Sequence, residues 1–148
     1  MRRLPIPLLP APLRWAAVAA VAGAIFYLSV ITAPPEHPVV TVPGPGWLLD
    51  LPLDEWRHFL AYAGFGGSLA YATADWTWRR WRLAALVAGV AVGYGLGIEA
   101  VQATLPQRYF GWDDAVANAL GGLLVLPWFA LRSRARIVRL GVESVRRS

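Results

Sequence analysis

Four stretches of this chain run free of charge: Trp15 to Ala33, Phe59 to Ala74, Leu83 to Ile98, and Ala115 to Leu131. Each approaches the roughly 20 residues that a helix needs to cross the hydrocarbon core of a bilayer. Inside lipid every backbone polar group has to be satisfied internally, so apolar stretches of this length form helices. The pattern predicts an all-α integral membrane four-helix bundle with spans at about 14–33, 56–75, 82–105 and 113–131. Only 16% of the residues are charged, against about a quarter in an ordinary soluble domain. In a chain of 148 residues little remains for a soluble unit, so residues 1–148 read as a single transmembrane domain. Arg2 and Arg3 ahead of an apolar run also suit a signal peptide. The run is longer than a usual signal core, however, and Thr32-Ala33-Pro34 is a poor cleavage site. The expectation is a retained first span.

The arginines predict the topology. Arg2, Arg3 and Arg14 precede span one; Arg79, Arg80 and Arg82 lie between spans two and three; Arg132, Arg134, Arg136, Arg139, Arg146 and Arg147 follow span four. The other two connections are acidic, with Glu36, Asp50, Asp54 and Glu55 in one and Asp113 and Asp114 beside Arg108 in the other. The positive-inside rule then places both termini and the middle connection in the cytoplasm of a cell-membrane protein. Trp15, Trp56, Trp76, Trp78, Trp81, Trp112 and Trp128 fall near span ends, as an interfacial aromatic belt requires. Residues 34–53 form an external loop whose prolines and glycines prevent a continuous helix. Residues 132–148 read as a basic cytoplasmic tail lying on an anionic inner leaflet. The net charge of +5 is therefore topological, and nucleic acid is not expected as a partner; the lipid bilayer is.

Cysteine is absent, which excludes disulfides, thiolate metal sites and a cysteine nucleophile. Oxygen ligands are available at Asp54, Glu99, Asp113 and Asp114, but with only His58 beside them the sequence predicts no metal site and no cofactor.

On this topology the unusual residues collect on one side. Asp54, His58 and Tyr62 follow one another at intervals of four and form a stripe at the outer start of span two. Glu99 and Gln102 share a face at the outer end of span three; Asp114, Asn118 and Gly121 share one at the outer start of span four. Arg108 stands in the short connection between them. The uncharged part of span three is about 24 Å long at 1.5 Å per residue, short of a core roughly 30 Å thick. The helix must therefore continue through Glu99 and Gln102, which sit just inside the outer apolar boundary. Arg108 or His58 is the expected counter-charge for Glu99. Ionisable groups so placed are costly, face a bundle interior and mark functional sites. Gly89, Gly93 and Gly97 form an unbroken GxxxGxxxG. That spacing predicts close helix approach, with Gly64, Gly67, Gly121 and Gly122 as small surfaces opposite.

The combined pattern E-x-x-Q-x5-R-x5-D-x3-N-x-x-G, preceded by D-x-x-x-H-F-x-x-Y, resembles the VanZ-like family of small membrane proteins. It reads here as Asp54, His58, Phe59 and Tyr62, then Glu99, Gln102, Arg108, Asp114, Asn118 and Gly121, within a motif region of residues 54–127. Glu55 stands where family members often carry lysine. The resemblance implies a cell-envelope role and, through the family's namesake, a link to resistance against the glycopeptide teicoplanin. It supplies no reaction.

Three functions compete for the cluster. Asp54, His58, Tyr62, Glu99, Gln102, Arg108, Asp114 and Asn118 can line an outward-facing pocket for a polar lipid headgroup or cell-envelope precursor, with Arg108 pairing a phosphate bidentately. They can form the site of a membrane-embedded hydrolase or transferase, with His58, Glu99 or Asp114 as acid or base and water as nucleophile. They can also serve as interhelical glue, where each intramembrane hydrogen bond contributes on average only about 0.6 kcal/mol. Ion coupling fits least, because coupling sites lie near the midplane and spans two to four hold no ionisable group there.

Overall fold

The computed structural model describes residues 4–32, 53–106, 108–132 and 135–139. The Pro/Gly-rich stretch 34–52, the arginines at positions 2, 3, 134, 146 and 147, and the tail beyond 139 lie outside the described residues, as does the side chain of Asp54. In chain order the elements are β1 (Leu4–Leu8), α1 (Ala11–Phe26, widening into a π-helical turn at Tyr27–Ile31), α2 (Leu53–Ala72), α3 (Arg80–Gln102), α4 (Trp112–Leu123), α5 (Leu126–Leu131) and β2 (Ala135–Arg139).

The helices coincide with the expected spans and stop for identifiable reasons. Pro12 occupies the first turn of α1, where its missing N–H costs nothing. Pro106 blocks any extension of α3 beyond its last turn. Pro127 breaks the fourth stretch: its ring would meet the carbonyl four residues back, so the helix parts at Leu124–Val125 and restarts as α5. Among the described residues three helical stretches are long and apolar enough to cross a membrane, namely Ala11–Ile31, Arg80–Gln102 and Trp112–Leu131. The expected span at 56–75 corresponds to α2, which is of similar length but falls outside that set. Its first turns carry Asp54, Glu55, Arg57 and His58, which lower its apolarity.

This polar-ended helix sits at the centre, packed against α1, α3 and α4, while α3 also meets α4, α5 and the end of α1. Tyr62, Phe65 and Leu69 of α2 form the core with Val18 and Ile25 of α1, Val87, Ala91 and Ile98 of α3, and Val125 and Phe129 near α5. The outer faces carry exposed Leu13, Leu28, Leu60, Leu86, Val90, Leu96, Val116, Leu120 and Leu124, a surface suited to lipid.

One expectation needs correction. Among the described residues the GxxxGxxxG stripe does not mediate packing: no described atom of another segment lies within 4 Å of where a Cβ would stand on Gly89, Gly93 or Gly97, nor on Gly64 or Gly67. The close approaches are made by Gly95, whose added Cβ would meet Asn118 Cβ at 2.9 Å, by Gly122 against Ala91 at 3.0 Å, and by Gly121 against the Phe59 carbonyl oxygen at 2.2 Å. The cause is rotational. Burying Glu99 and Gln102 fixes which face of α3 turns inward, and Gly97, two residues before Glu99, lies about 200° away around the helix. Within the basic tail, residues 135–139 pair in parallel with β1, Leu4 opposite Ala135 through Leu8 opposite Arg139. Pro5 and Pro7 force extended backbone and suit an edge strand. The Tyr71 hydroxyl holds this ribbon to α2, donating to the Pro7 carbonyl at 2.9 Å and accepting from the Leu9 N–H at 3.0 Å.

Candidate functional site

The last turn of α3, the first turns of α4 and the first turns of α2 meet at one end of the bundle. Glu99 is fully buried there, as are Asn118 and Tyr62 to within 1%. Burying a carboxylate demands hydrogen bonds to both oxygens. Glu99 Oε2 accepts the Gly111 backbone N–H at 3.1 Å, and Oε1 accepts Asn118 Nδ2 at 3.3 Å. With its amide nitrogen donating to Glu99, Asn118 turns its carbonyl oxygen to His58 Nδ1 at 3.0 Å. That oxygen can only accept, so His58 Nδ1 must donate. The remaining ring nitrogen, Nε2, faces Asp114 Oδ1 at 3.7 Å. His58 and Asp114 are the half-exposed end of the chain, with side chains 16% and 30% accessible.

Local sequence explains this geometry. Gly111 precedes α4 as its N-terminal cap residue, and a Cβ there would stand 2.7 Å from Asp114 Oδ2. Its lack of a side chain lets Asp114 fold back over the helix start, where Asp113 and Asp114 also complement the helix dipole. Gly95 brings Tyr62 and Asn118 together across α3. The Tyr62 ring packs edge-on against Phe65 and tilted against Tyr94, with centroids 6.5 and 6.4 Å away. Its buried hydroxyl has no hydrogen-bond partner among the described residues, and the same holds for the Trp56 indole nitrogen.

The structure brings His58, Tyr62, Glu99, Asp114 and Asn118 together as neighbours; of the two counter-charges expected for Glu99, His58 lies near enough for its charge to act on the carboxyl, whereas Arg108 is directed elsewhere. Arg108 NH2 donates instead to the Thr32 carbonyl at 2.7 Å, and Gln102 Nε2 donates to the Ser29 carbonyl at 2.8 Å. A helix end leaves its last carbonyls without intrahelical partners, and the π-helical turn ending α1 supplies these two acceptors. Gln102 and Arg108 thus dock α1 onto the α3–α4 connection. The hydrogen-bonded path from His58 to Glu99 runs through Asn118. Sequence reasoning missed Gly111 and Gly95. The first was detectable as a cap residue ahead of an acidic first turn; the second had no signal separating it from the exposed glycines.

The opposite end is held by arginines. Arg14, 3% exposed, makes a two-point ion pair with Asp75, both bonds at 2.9 Å, and donates to the Ala72 carbonyl at 2.7 Å. Arg132 donates to the carbonyls of Ala74 and Trp76. Both cations meet the end of α2, where its dipole is negative. Asp75 was not marked as a candidate residue, although it is the one acid in an otherwise basic connection.

Apolar membrane-length helices around a buried carboxylate–amide–imidazole chain define a small helical membrane protein with a polar site at one end of its bundle. The VanZ/LLP1 family model matches residues 15–132, and the chain belongs to that family. The match takes in α1 through α5 almost entirely, with every residue of the cluster. No curated protein and no solved structure gives a significant match.

Proposed function

We propose that this VanZ-family protein is a multi-pass membrane protein that binds a polar headgroup or cell-envelope component at the outer leaflet, through His58 and Asp114. The observation that carries the reading is the relay from Glu99 through Asn118, which fixes the imidazole and turns Nε2 towards Asp114 at the half-exposed end of the cluster. The charge pattern supports cytoplasmic termini and an outward site. The geometry also narrows the ligand. One terminal nitrogen of Arg108 donates to the Thr32 carbonyl, while two carboxyl groups flank His58, one through Asn118 and one directly. Such a site favours hydroxyl or ammonium groups, which donate to Asp114 and His58 Nε2, over a bare phosphate. The tie to glycopeptide resistance belongs to this proposal as one envelope context for such binding.

A second reading has a specific support. An imidazole held in one tautomer by a polar partner suits general acid–base chemistry, so His58 could activate water against a lipid-linked substrate. Ser29 and Thr104 offer no better nucleophile; the Thr104 hydroxyl donates to the Val101 carbonyl. A purely structural cluster is the remaining alternative, and Glu99, Gln102 and Asn118 are buried as it requires.

Because the chain has no cysteine, single cysteines test the site directly. Asp114→Cys should react with an impermeant maleimide from outside intact cells, and Arg80→Cys only once the inner leaflet is opened. The reverse pattern overturns the outward site. Purified chain should then retain phosphatidylethanolamine in preference to methylated phosphatidylcholine. His58→Ala should abolish that preference, at a stability cost of about 1–3 kcal/mol for the buried Asn118 oxygen left without its partner. His58→Gln, which can still donate to that oxygen, should fold like the parent chain and lose the preference. Product release from a lipid-linked substrate, lost in the same variant, would move the assignment to catalysis.

A further inference from the structure

At the end of the bundle away from His58, the α2–α3 connection and the end of α5 border a second site of different character, open to the surface. A cavity of about 250 Å³ is lined by Trp76, Thr77, Trp78, Arg80 and Arg132. At roughly 30 Å³ per water, that volume admits a phosphate group with its ester arms. Two guanidinium-bearing residues line one small cavity, and Arg80 and Arg132 repel each other: burial, then Arg80, pull the Arg132 pKa below its ordinary value. Asp75, whose field reaches Arg132, has both carboxylate oxygens engaged by Arg14. The cavity therefore carries positive charge in excess of its acid. Arg132 is held in place by the Ala74 and Trp76 carbonyls, so its fork is pre-oriented. Arg80 opens α3, a helix of 23 residues whose N-terminus has no side-chain cap, and the dipole there adds to the attraction for an anion. Trp76 and Trp78 lie against each other with centroids 5.3 Å apart, and Trp78 is 54% exposed, as interfacial indoles are.

We infer that this cavity is a binding site for the phosphate of an anionic phospholipid, held between Arg80 and Arg132 with the Thr77 hydroxyl and the first turn of α3 as further donors. Basic pockets between membrane helices recognise such headgroups on the cytoplasmic side, where the charge pattern also places this connection. The site is independent of His58 and stands or falls separately from the function proposed for that cluster.

Native mass spectrometry of the full chain released from micelles tests it, with phosphatidylglycerol and phosphatidylcholine as probes. One phosphatidylglycerol per chain should be retained in preference to phosphatidylcholine. Arg80→Gln should weaken that retention about tenfold, the factor expected for one charge-assisted hydrogen bond. Arg80→Lys should retain most of it. Arg82→Gln should leave it unchanged, because Arg82 lies over the Trp81 ring, outside the cavity. Arg80 is exposed, so its variants should melt with the parent chain. Equal losses in Arg80→Gln and Arg82→Gln, or no preference between the two lipids, would overturn the inference. Displacement of the lipid by millimolar inorganic phosphate, with phosphate retained, would overturn the lipid as its source.

Discussion

Asn118 sets the tautomer of His58 from 60 residues away: its side-chain oxygen lies 3.0 Å from Nδ1 while its nitrogen is committed to Glu99. One side chain therefore joins a buried carboxylate to a half-exposed imidazole. Asn118→Ala removes both bonds and leaves Glu99 with the Gly111 N–H alone. The expected cost is about 1–3 kcal/mol, since a buried polar group loses a partner. Reversible unfolding in mixed micelles measures it.

Tyr62 offers the opposite case. Its hydroxyl is buried with no hydrogen-bond partner among the described residues, so Tyr62→Phe removes a desolvated polar atom and keeps the ring packing on Phe65 and Tyr94. Stability should be unchanged or slightly raised. If the hydroxyl serves a ligand, retention of the headgroup falls in the same variant. A loss of stability above about 1 kcal/mol, the scale of one net hydrogen bond, would show that the hydroxyl has a partner in the folded protein.

The glycines of α3 divide sharply. Gly95→Ala places a methyl 2.9 Å from Asn118 Cβ and 3.1 Å from the Tyr62 ring, which forces α3, α4 and α2 apart. Overpacking of this kind costs about 1–3 kcal/mol. Gly93→Ala meets nothing within 4 Å and should be neutral or stabilising, because alanine is the better helix former. Comparing the two melting curves checks the orientation of α3.

The far end depends on Arg14 and Asp75. Asp75→Ala leaves a guanidinium that is 3% exposed with carbonyl partners only. Removing one partner of a buried pair costs about 3–5 kcal/mol, and the 23% exposure of Asp75 places the expectation at the lower end, about 3 kcal/mol. Thermal unfolding of the single variant gives the value. The His58 end should be unaffected, as outside labelling of Asp114→Cys can confirm.

Much of this arrangement was legible because lipid makes polar residues conspicuous. His58, Glu99, Asp114 and Asn118 could be grouped from helical spacing alone, since each stands where an apolar residue would be cheaper. Their partners were less legible. Arg108 looked like the counter-charge to Glu99 because both are charged and close in sequence, yet the end of α1 supplies an acceptor that only tertiary docking brings near. The GxxxGxxxG stripe invited a packing role, but the burial of Glu99 fixes the rotation of α3 and turns those glycines outward. Arg14 read as a topological charge because its partner, Asp75, lies 61 residues away. The β1–β2 ribbon joins segments near opposite ends of the sequence, and neither carries the alternating β-branched pattern that announces a strand.

The central claim is that Glu99, through Asn118, holds His58 with its Nδ1 protonated and its Nε2 presented beside Asp114. Nitrogen NMR of the histidine-labelled full chain in lipid nanodiscs reads this directly, with His37→Gln leaving a single imidazole. At alkaline pH the account predicts a proton on Nδ1 and a bare Nε2, and a return to the mixed tautomers of a free imidazole in Asn118→Ala. A proton on Nε2 in the parent chain, or tautomers unchanged by the loss of Asn118, would contradict it.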